Sequence, residues 1–128
     1  MYEELYEIWR KEVEKIALEE LPRDFYCRVA DYFKKLREEA RMLDKKAIKA
    51  NLLRIEEQNV KRMLQEIVQA RRKKIIKIIM MGEKIPLSLL SDEEQNLYKK
   101  ILQFPDFQEF IKHFVERRQL TTGSEFTS

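Results

Sequence analysis

The sequence predicts an all-α protein, an elongated bundle of about five helices with one long central helix. Three observations carry this. Apolar residues recur at helical rather than alternating spacing along most of the chain. Gly occurs twice and Pro three times in 128 residues, so turns are few and elements long. Hydrophobic residues make up 44% and charged residues 38%. The first share supports a folded core, and the second exceeds the roughly one quarter usual for a compact domain, as expected of long helices with much surface. The length suits one domain with one core.

The first helix is expected from about Tyr2 to Leu21, with Leu5, Trp9, Val13, Ile16 and Ala17 on one face. Pro22 would end it, because a residue preceding proline is pushed out of helical geometry. Asp24 then reads as the N-cap of a second helix, its carboxylate placed to accept from the free amides of the first turn. Phe25, Val29, Tyr32, Phe33, Leu36, Ala40 and Leu43 form the apolar stripe of that helix, and Asp44 marks a break or a cap. From about Lys46 to Met81 there is no Gly or Pro, which predicts a helix of roughly 54 Å. Its apolar residues fall on two offset stripes. One holds Ile48, Leu52, Ile55 and Met63, and the other Leu53, Val60, Leu64, Ile67, Val68, Ile75, Ile78 and Ile79. A helix apolar on two sides needs two neighbours, one of which can come from another subunit. Gly82 supplies its C-terminal cap.

After a connector around Pro86, Ser91 to Glu94 reads as a capping box opening a fourth helix that carries Leu97, Tyr98, Ile101 and Leu102. Pro105 and Asp106 start a fifth, with Phe107, Phe110, Ile111, Phe114 and Val115 as its apolar side. Residues 121–128 form a tail, of which 123–128 read as a remnant of two adjacent cloning sites.

Chemistry is sparse. Cys27 and His113 are the sole residues of their types, which excludes an internal disulfide and a four-ligand zinc site. Cys27 is expected as a packed core thiol and His113 as a boundary residue. Glu109 and His113 share a helical face, but two ligands hold a metal poorly. The two glycines, 41 positions apart, form no phosphate loop. No catalytic residue, cofactor or metal is therefore expected, nor any membrane span, and the expected location is cytoplasmic.

Charge is segregated. Residues 1–44 carry a net −3, residues 45–84 a net +8 and residues 85–128 a net −2. The middle segment either meets an acidic partner or is neutralised by its own neighbours. Arg71, Arg72, Lys73, Lys74 and Lys77 are the candidate contact for a nucleic acid or acidic partner. The alternative, which the wrapping of four consecutive cations around a helix favours, is that they serve subunit contacts or the helix dipole. No aromatics interleave with them, so base stacking is not indicated. Trp9, with Tyr2, Leu5 and Tyr6, is equally an interface anchor or core packing.

The run Leu21-Pro22-Arg23-Asp24-Phe25-Tyr26, with Val29 and Tyr32, resembles the start of the second helix in archaeal GINS subunits. The likeness continues through Leu36-Arg37-Glu38-Glu39-Ala40, Asp44, Leu52-Leu53, Glu56, Asn59, Leu64, Arg71 to Ile75, Gly82, Pro86-Leu87 and Glu93-Glu94 to Tyr98. It implies a GINS-like helical domain over residues 1–120, of the type in which a helical domain comes first and a β-rich one follows. No β-rich segment follows residue 120, so the helical domain alone is expected. The resemblance also implies a non-enzymatic scaffold that assembles with a second GINS-type subunit and itself into a tetramer. Its implied partners are the minichromosome maintenance helicase and a RecJ-like or Cdc-type replication factor, with a nucleoid-associated location. On this reading the first and long helices carry the subunit interface through Leu5, Trp9, Leu53, Val60, Leu64 and Ile67. The rival reading is a helical nucleic-acid-binding module using residues 71–77.

Overall fold

A computed structural model describes residues 1–103 as four α-helices and one 3-10 turn. They are α1 (Tyr2–Glu14), α2 (Phe25–Met42), α3 (Ile48–Met80), the 3-10 turn Leu87–Leu89 and α4 (Asp92–Gln103). The all-α prediction holds. The expected fifth helix, the pair Glu109 and His113 and the tail 121–128 lie outside the described residues.

α3 is the spine. Its 33 residues make a rod of about 50 Å, against which α1 and α2 both pack. Trp9 meets Glu66, and Glu12 meets Arg71 and Lys74, so α1 runs parallel to α3. The short connector 43–47 folds α3 back along α2. Asp44 shapes this turn, accepting Lys46 N on its carboxylate at 3.2 Å and Ala47 N on its carbonyl at 2.9 Å. It is thus the break that the sequence suggested, and Ala47 is the N-cap.

Two apolar clusters result. The larger holds Leu5, Leu21, Phe25, Val29, Leu36, Val60, Met63 and Ile67, flanked by Trp9, Tyr32, Phe33, Leu53 and Leu64. The smaller gathers Leu18, Ile85, Leu90 and Tyr98 against Ile75, Ile78 and Ile79. There the Tyr98 hydroxyl accepts Ile85 N at 3.0 Å.

Two expectations are corrected. α1 stops at Glu14, seven residues short of Leu21. The Lys74 ammonium captures the carbonyl of Glu12 at 2.7 Å, an oxygen that a longer helix would use internally. Residues beyond it form a non-helical linker in which Ile16 and Ala17 face outward, Ile16 at 91% exposure, and Val13, in the last turn of α1, is exposed too. Asp24 does start α2, but its carboxylate makes no capping bond and instead pairs with Arg28 at 3.0 Å.

The end of α3 follows the sequence closely. Gly82 has φ +76°. Gly82 N bonds to Ile79 O at 3.0 Å and Glu83 N to Ile78 O at 3.2 Å, the paired bonds of a Schellman stop. A Cβ at Gly82 would meet nothing within 4 Å, so Gly82→Ala tests backbone strain alone. It should lower unfolding free energy by about 1–2 kcal/mol, read as a shifted urea midpoint with an unchanged slope.

Candidate functional site

Between the two apolar clusters lies a buried ionic junction. α3 places Ile67 in the larger cluster and Ile75 beside the smaller one. Arg71, one helical turn from each, has none of its surface exposed. A guanidinium there must find partners for all five N–H groups, and it does. Nε donates to Glu94 Oε2 at 2.8 Å and Nη2 to Glu94 Oε1 and Leu89 O, both at 2.9 Å. Nη1 donates to Glu12 Oε1 at 2.6 Å and Glu19 O at 2.7 Å.

Lys74, a turn further along, completes the charge balance. Its three N–H groups reach Glu12 Oε2 at 2.6 Å, Glu12 O at 2.7 Å and Ala17 O at 3.0 Å. Two cations thus face two carboxylates, and among the described residues no buried side-chain polar atom lacks a partner. Glu12 and Glu94 come from α1 and α4, and the carbonyls from the 15–24 linker and the 3-10 turn. The junction therefore ties α1, the 15–24 linker, the 3-10 turn and α4 to one residue of α3. Tyr26 extends it to α2 as well, its hydroxyl donating to Glu94 Oε2 at 3.1 Å.

Glu94 also closes the capping box expected at Ser91. Ser91 N bonds to Glu94 Oε1 at 3.0 Å, and Glu94 N to Ser91 Oγ at 3.2 Å. Burial pushes the Glu94 carboxyl up, but the contacts with Arg71, the Ser91 amide and the Tyr26 hydroxyl outweigh it and hold its pKa below the ordinary 4.5. Burial likewise works against the Arg71 charge, yet the pairs with Glu94 and Glu12 outweigh it and raise its pKa above the ordinary guanidinium value. For Tyr26, burial and then the Glu94 charge raise the pKa.

This geometry revises the sequence-derived sites. Arg71 and Lys74 are consumed by the junction, and Arg71 is unavailable to a nucleic acid because it is wholly buried. Arg72, Lys73 and Lys77 remain on the surface. Of the expected interface residues, Leu5, Val60 and Ile67 are fully buried inside this chain and cannot meet another subunit in this conformation. Trp9, Leu53 and Leu64 pack half-buried against the same core. Trp9 Nε1 donates to Glu66 Oε2 at 2.7 Å, and Arg62 lies 5.7 Å from the ring centroid.

Cys27 is corrected too. It is exposed rather than packed, and its thiol donates to Glu93 Oε1 at 3.3 Å. That hydrogen bond and the Glu93 charge raise its pKa, the wrong direction for a nucleophile. Among the described residues no group of three or more His, Cys, Asp or Glu could hold a metal ion, and no helix is long and apolar enough to cross a membrane.

The missed feature is the first stripe of α3. Ile48, Leu52 and Ile55 are 78%, 60% and 54% exposed. They were legible as apolar at i, i+4 and i+7, but not as uncovered. Trp9 and Glu12 of α1 reach Glu66 and Arg71, so the parallel α1 lies along the later part of α3 and leaves this side of the first two turns uncovered.

The helical bundle domain of the GINS complex protein Sld5 matches residues 3–103 as a family model. The chain belongs to the GINS family. Comparison with curated proteins and with solved structures gives no match. The family is one of non-catalytic subunits of a replication complex, so partnering with other GINS subunits follows from membership.

Two predictions test the junction. Arg71→Ala takes a charged partner from Glu12 and Glu94 and leaves the carbonyls of Glu19 and Leu89 without that donor, and should cost about 3–5 kcal/mol in chemical unfolding. Arg71→Met should not recover that loss, because the carbonyls of Glu19 and Leu89 would still lack a donor.

The second prediction concerns pH. Because the folded pKa of Glu94 is depressed, its contribution is fully present above the unfolded value. It disappears as pH falls through the folded one. Stability of the GINS domain should therefore drop on acidification below pH 4.5. Glu94→Gln should be less stable at neutral pH and show a shallower acid limb in pH-dependent melting.

Proposed function

We propose that the chain is a structural subunit of the GINS complex that assembles with a second GINS subunit and supports the replicative helicase in chromosomal DNA replication. Catalysis plays no part in this role. The observation that carries the reading is the bare stripe Ile48, Leu52 and Ile55. Each such side chain, once covered, contributes about 1.5–3 kcal/mol, and three on successive turns of a rigid helix form the kind of anchor row that a partner helix engages. Val13 and Tyr6 on the outer side of α1, both also exposed, offer a second contact.

The subunit interface proposed here is therefore shifted from the set first expected. Ile48, Leu52 and Ile55 take the place of Leu5, Val60 and Ile67, while Trp9 and its neighbours contribute at the border. A tetramer, the minichromosome maintenance helicase, a RecJ-like or Cdc-type factor and the archaeal subunit type extend the same proposal. They rest on the likeness of residues 21–98 described above, and residues 1–120 act in it as one helical unit. The nucleic-acid reading is weaker for losing Arg71 and Lys74 to the interior.

The test is co-expression with a second GINS subunit, read by sedimentation. The native chain should co-sediment with it. The double substitution Ile48→Asp and Leu52→Asp should abolish association while changing unfolding free energy by no more than about 0.5 kcal/mol, as for other surface positions. Undiminished association of that variant would remove the stripe from the interface.

A further inference from the structure

A second surface lies at the same end of α3 but round its side. The last turns of α2, the connector and the first turns of α3 enclose an open groove of about 560 Å³. Arg37, Arg41, Lys45, Arg54 and Glu57 line it, with Ala40 and Leu43 as an apolar wall. Four cations therefore face one carboxylate. That carboxylate is spoken for: Glu57 Oε1 accepts from Arg37 Nε at 2.7 Å. Arg41, Lys45 and Arg54 make no ion pair among the described residues.

Arg54 is the informative side chain. Its Nη1 is held by two neutral oxygens, Asn51 Oδ1 at 3.0 Å and Lys45 O at 3.4 Å. These bonds fix the guanidinium plane without neutralising it. They occupy one edge and leave the Nε and Nη2 edge without a partner among the described residues. That is the edge that grips a carboxylate through two parallel hydrogen bonds.

We propose that this corner groove binds the carboxylate side chains of an acidic peptide segment in a partner protein. Arg54 supplies the two-pronged contact, Arg41 and Lys45 supply flanking charge, and the Ala40 and Leu43 wall receives the aliphatic stem of an acidic residue or an apolar neighbour. A nucleic acid suits the groove less well. No aromatic lines it for base stacking.

The groove is separate from the proposed subunit face. Successive residues of a helix are about 100° apart, so Arg54 points well away from Leu52 and Ile55. The two surfaces can therefore fail independently. The probe is a fluorescein-labelled decapeptide of alternating Glu and Leu, titrated with the full chain and followed by anisotropy. A single-stranded oligonucleotide of equal charge is the competitor class.

The peptide should bind, and Arg41→Ala with Arg54→Gln should weaken it about tenfold or more, as for loss of a charge-assisted pair. Arg41→Glu with Lys45→Glu, at exposed positions that cannot unfold the chain, should weaken it further. Arg72→Ala with Lys73→Ala and Lys77→Ala should leave it within about twofold, since these residues lie outside the groove. All groove variants should still co-sediment with the second GINS subunit. Absence of peptide binding, or equal loss in the 72–77 variant, would overturn the proposal. Tighter binding of the oligonucleotide, lost in the same groove variants, would overturn it in favour of a nucleic-acid site.

Discussion

One arginine holds the described fold together. Most of this domain is helix on helix, but the 15–24 linker and the turn before α4 are irregular backbone laid against the C-terminal half of α3, with Leu18, Leu21 and Leu90 turned inward. Such segments carry carbonyl groups with no regular partner, and each must find a donor or cost free energy. Arg71 answers two of them, at Glu19 and Leu89, and Lys74 one more, at Ala17, together with the last-turn carbonyl of Glu12 in α1. The carboxylates of Glu12 and Glu94 then offset the charges that those donors bring in. A buried ion pair is ordinarily weak evidence for stability, because apolar residues of similar volume often do as well. Here the substitution fails on backbone grounds, since methionine can fill the space but cannot donate.

That constraint explains which parts of the structure were legible in the sequence. The long helix was plain from the absence of Gly and Pro between residues 46 and 81. Its end was plain from Gly82, and the start of α4 from Ser91 and Glu94, because caps are local chemistry written within four residues. The end of α1 was not legible. Its cause is Lys74, some sixty positions away, and helical periodicity through Ile16 and Ala17 gave no hint that a cation from another helix would claim its last carbonyl. The run Arg71 to Lys74 looked like one basic cluster for the same reason. Sequence adjacency cannot separate two residues that turn inward from two that stay in water when the carboxylates that select them are as distant as Glu12 and Glu94.

The candidate contact residues divide along similar lines. Hydrophobic spacing identified α3 as apolar on two sides, and it is. What spacing could not supply was the length of α1 and its parallel course, which decide that Val60 and Ile67 are covered by the chain's own helices while Ile48, Leu52 and Ile55 are not. A residue's periodicity states which face it belongs to. Whether that face is closed depends on where a neighbouring helix begins.

α3 thus has two ends of different character. At its C-terminal half every inward group is satisfied within the chain, apolar side chains by two clusters and polar ones by the Arg71 junction, and the helix is pinned to four other segments. In its first two turns it packs on α2, and the stripe of Ile48 to Ile55 and the corner around Arg54 keep uncovered apolar surface and unpaired donors. A rod fixed firmly at one end can present such groups at the other without losing its own fold, because the free energy that holds it does not depend on what covers the exposed part. An isolated helix of this composition would fray there. Anchoring one end in a satisfied polar junction lets the other remain ordered and open, and this is the physical condition under which a scaffold subunit can offer a preformed surface at little conformational cost on binding.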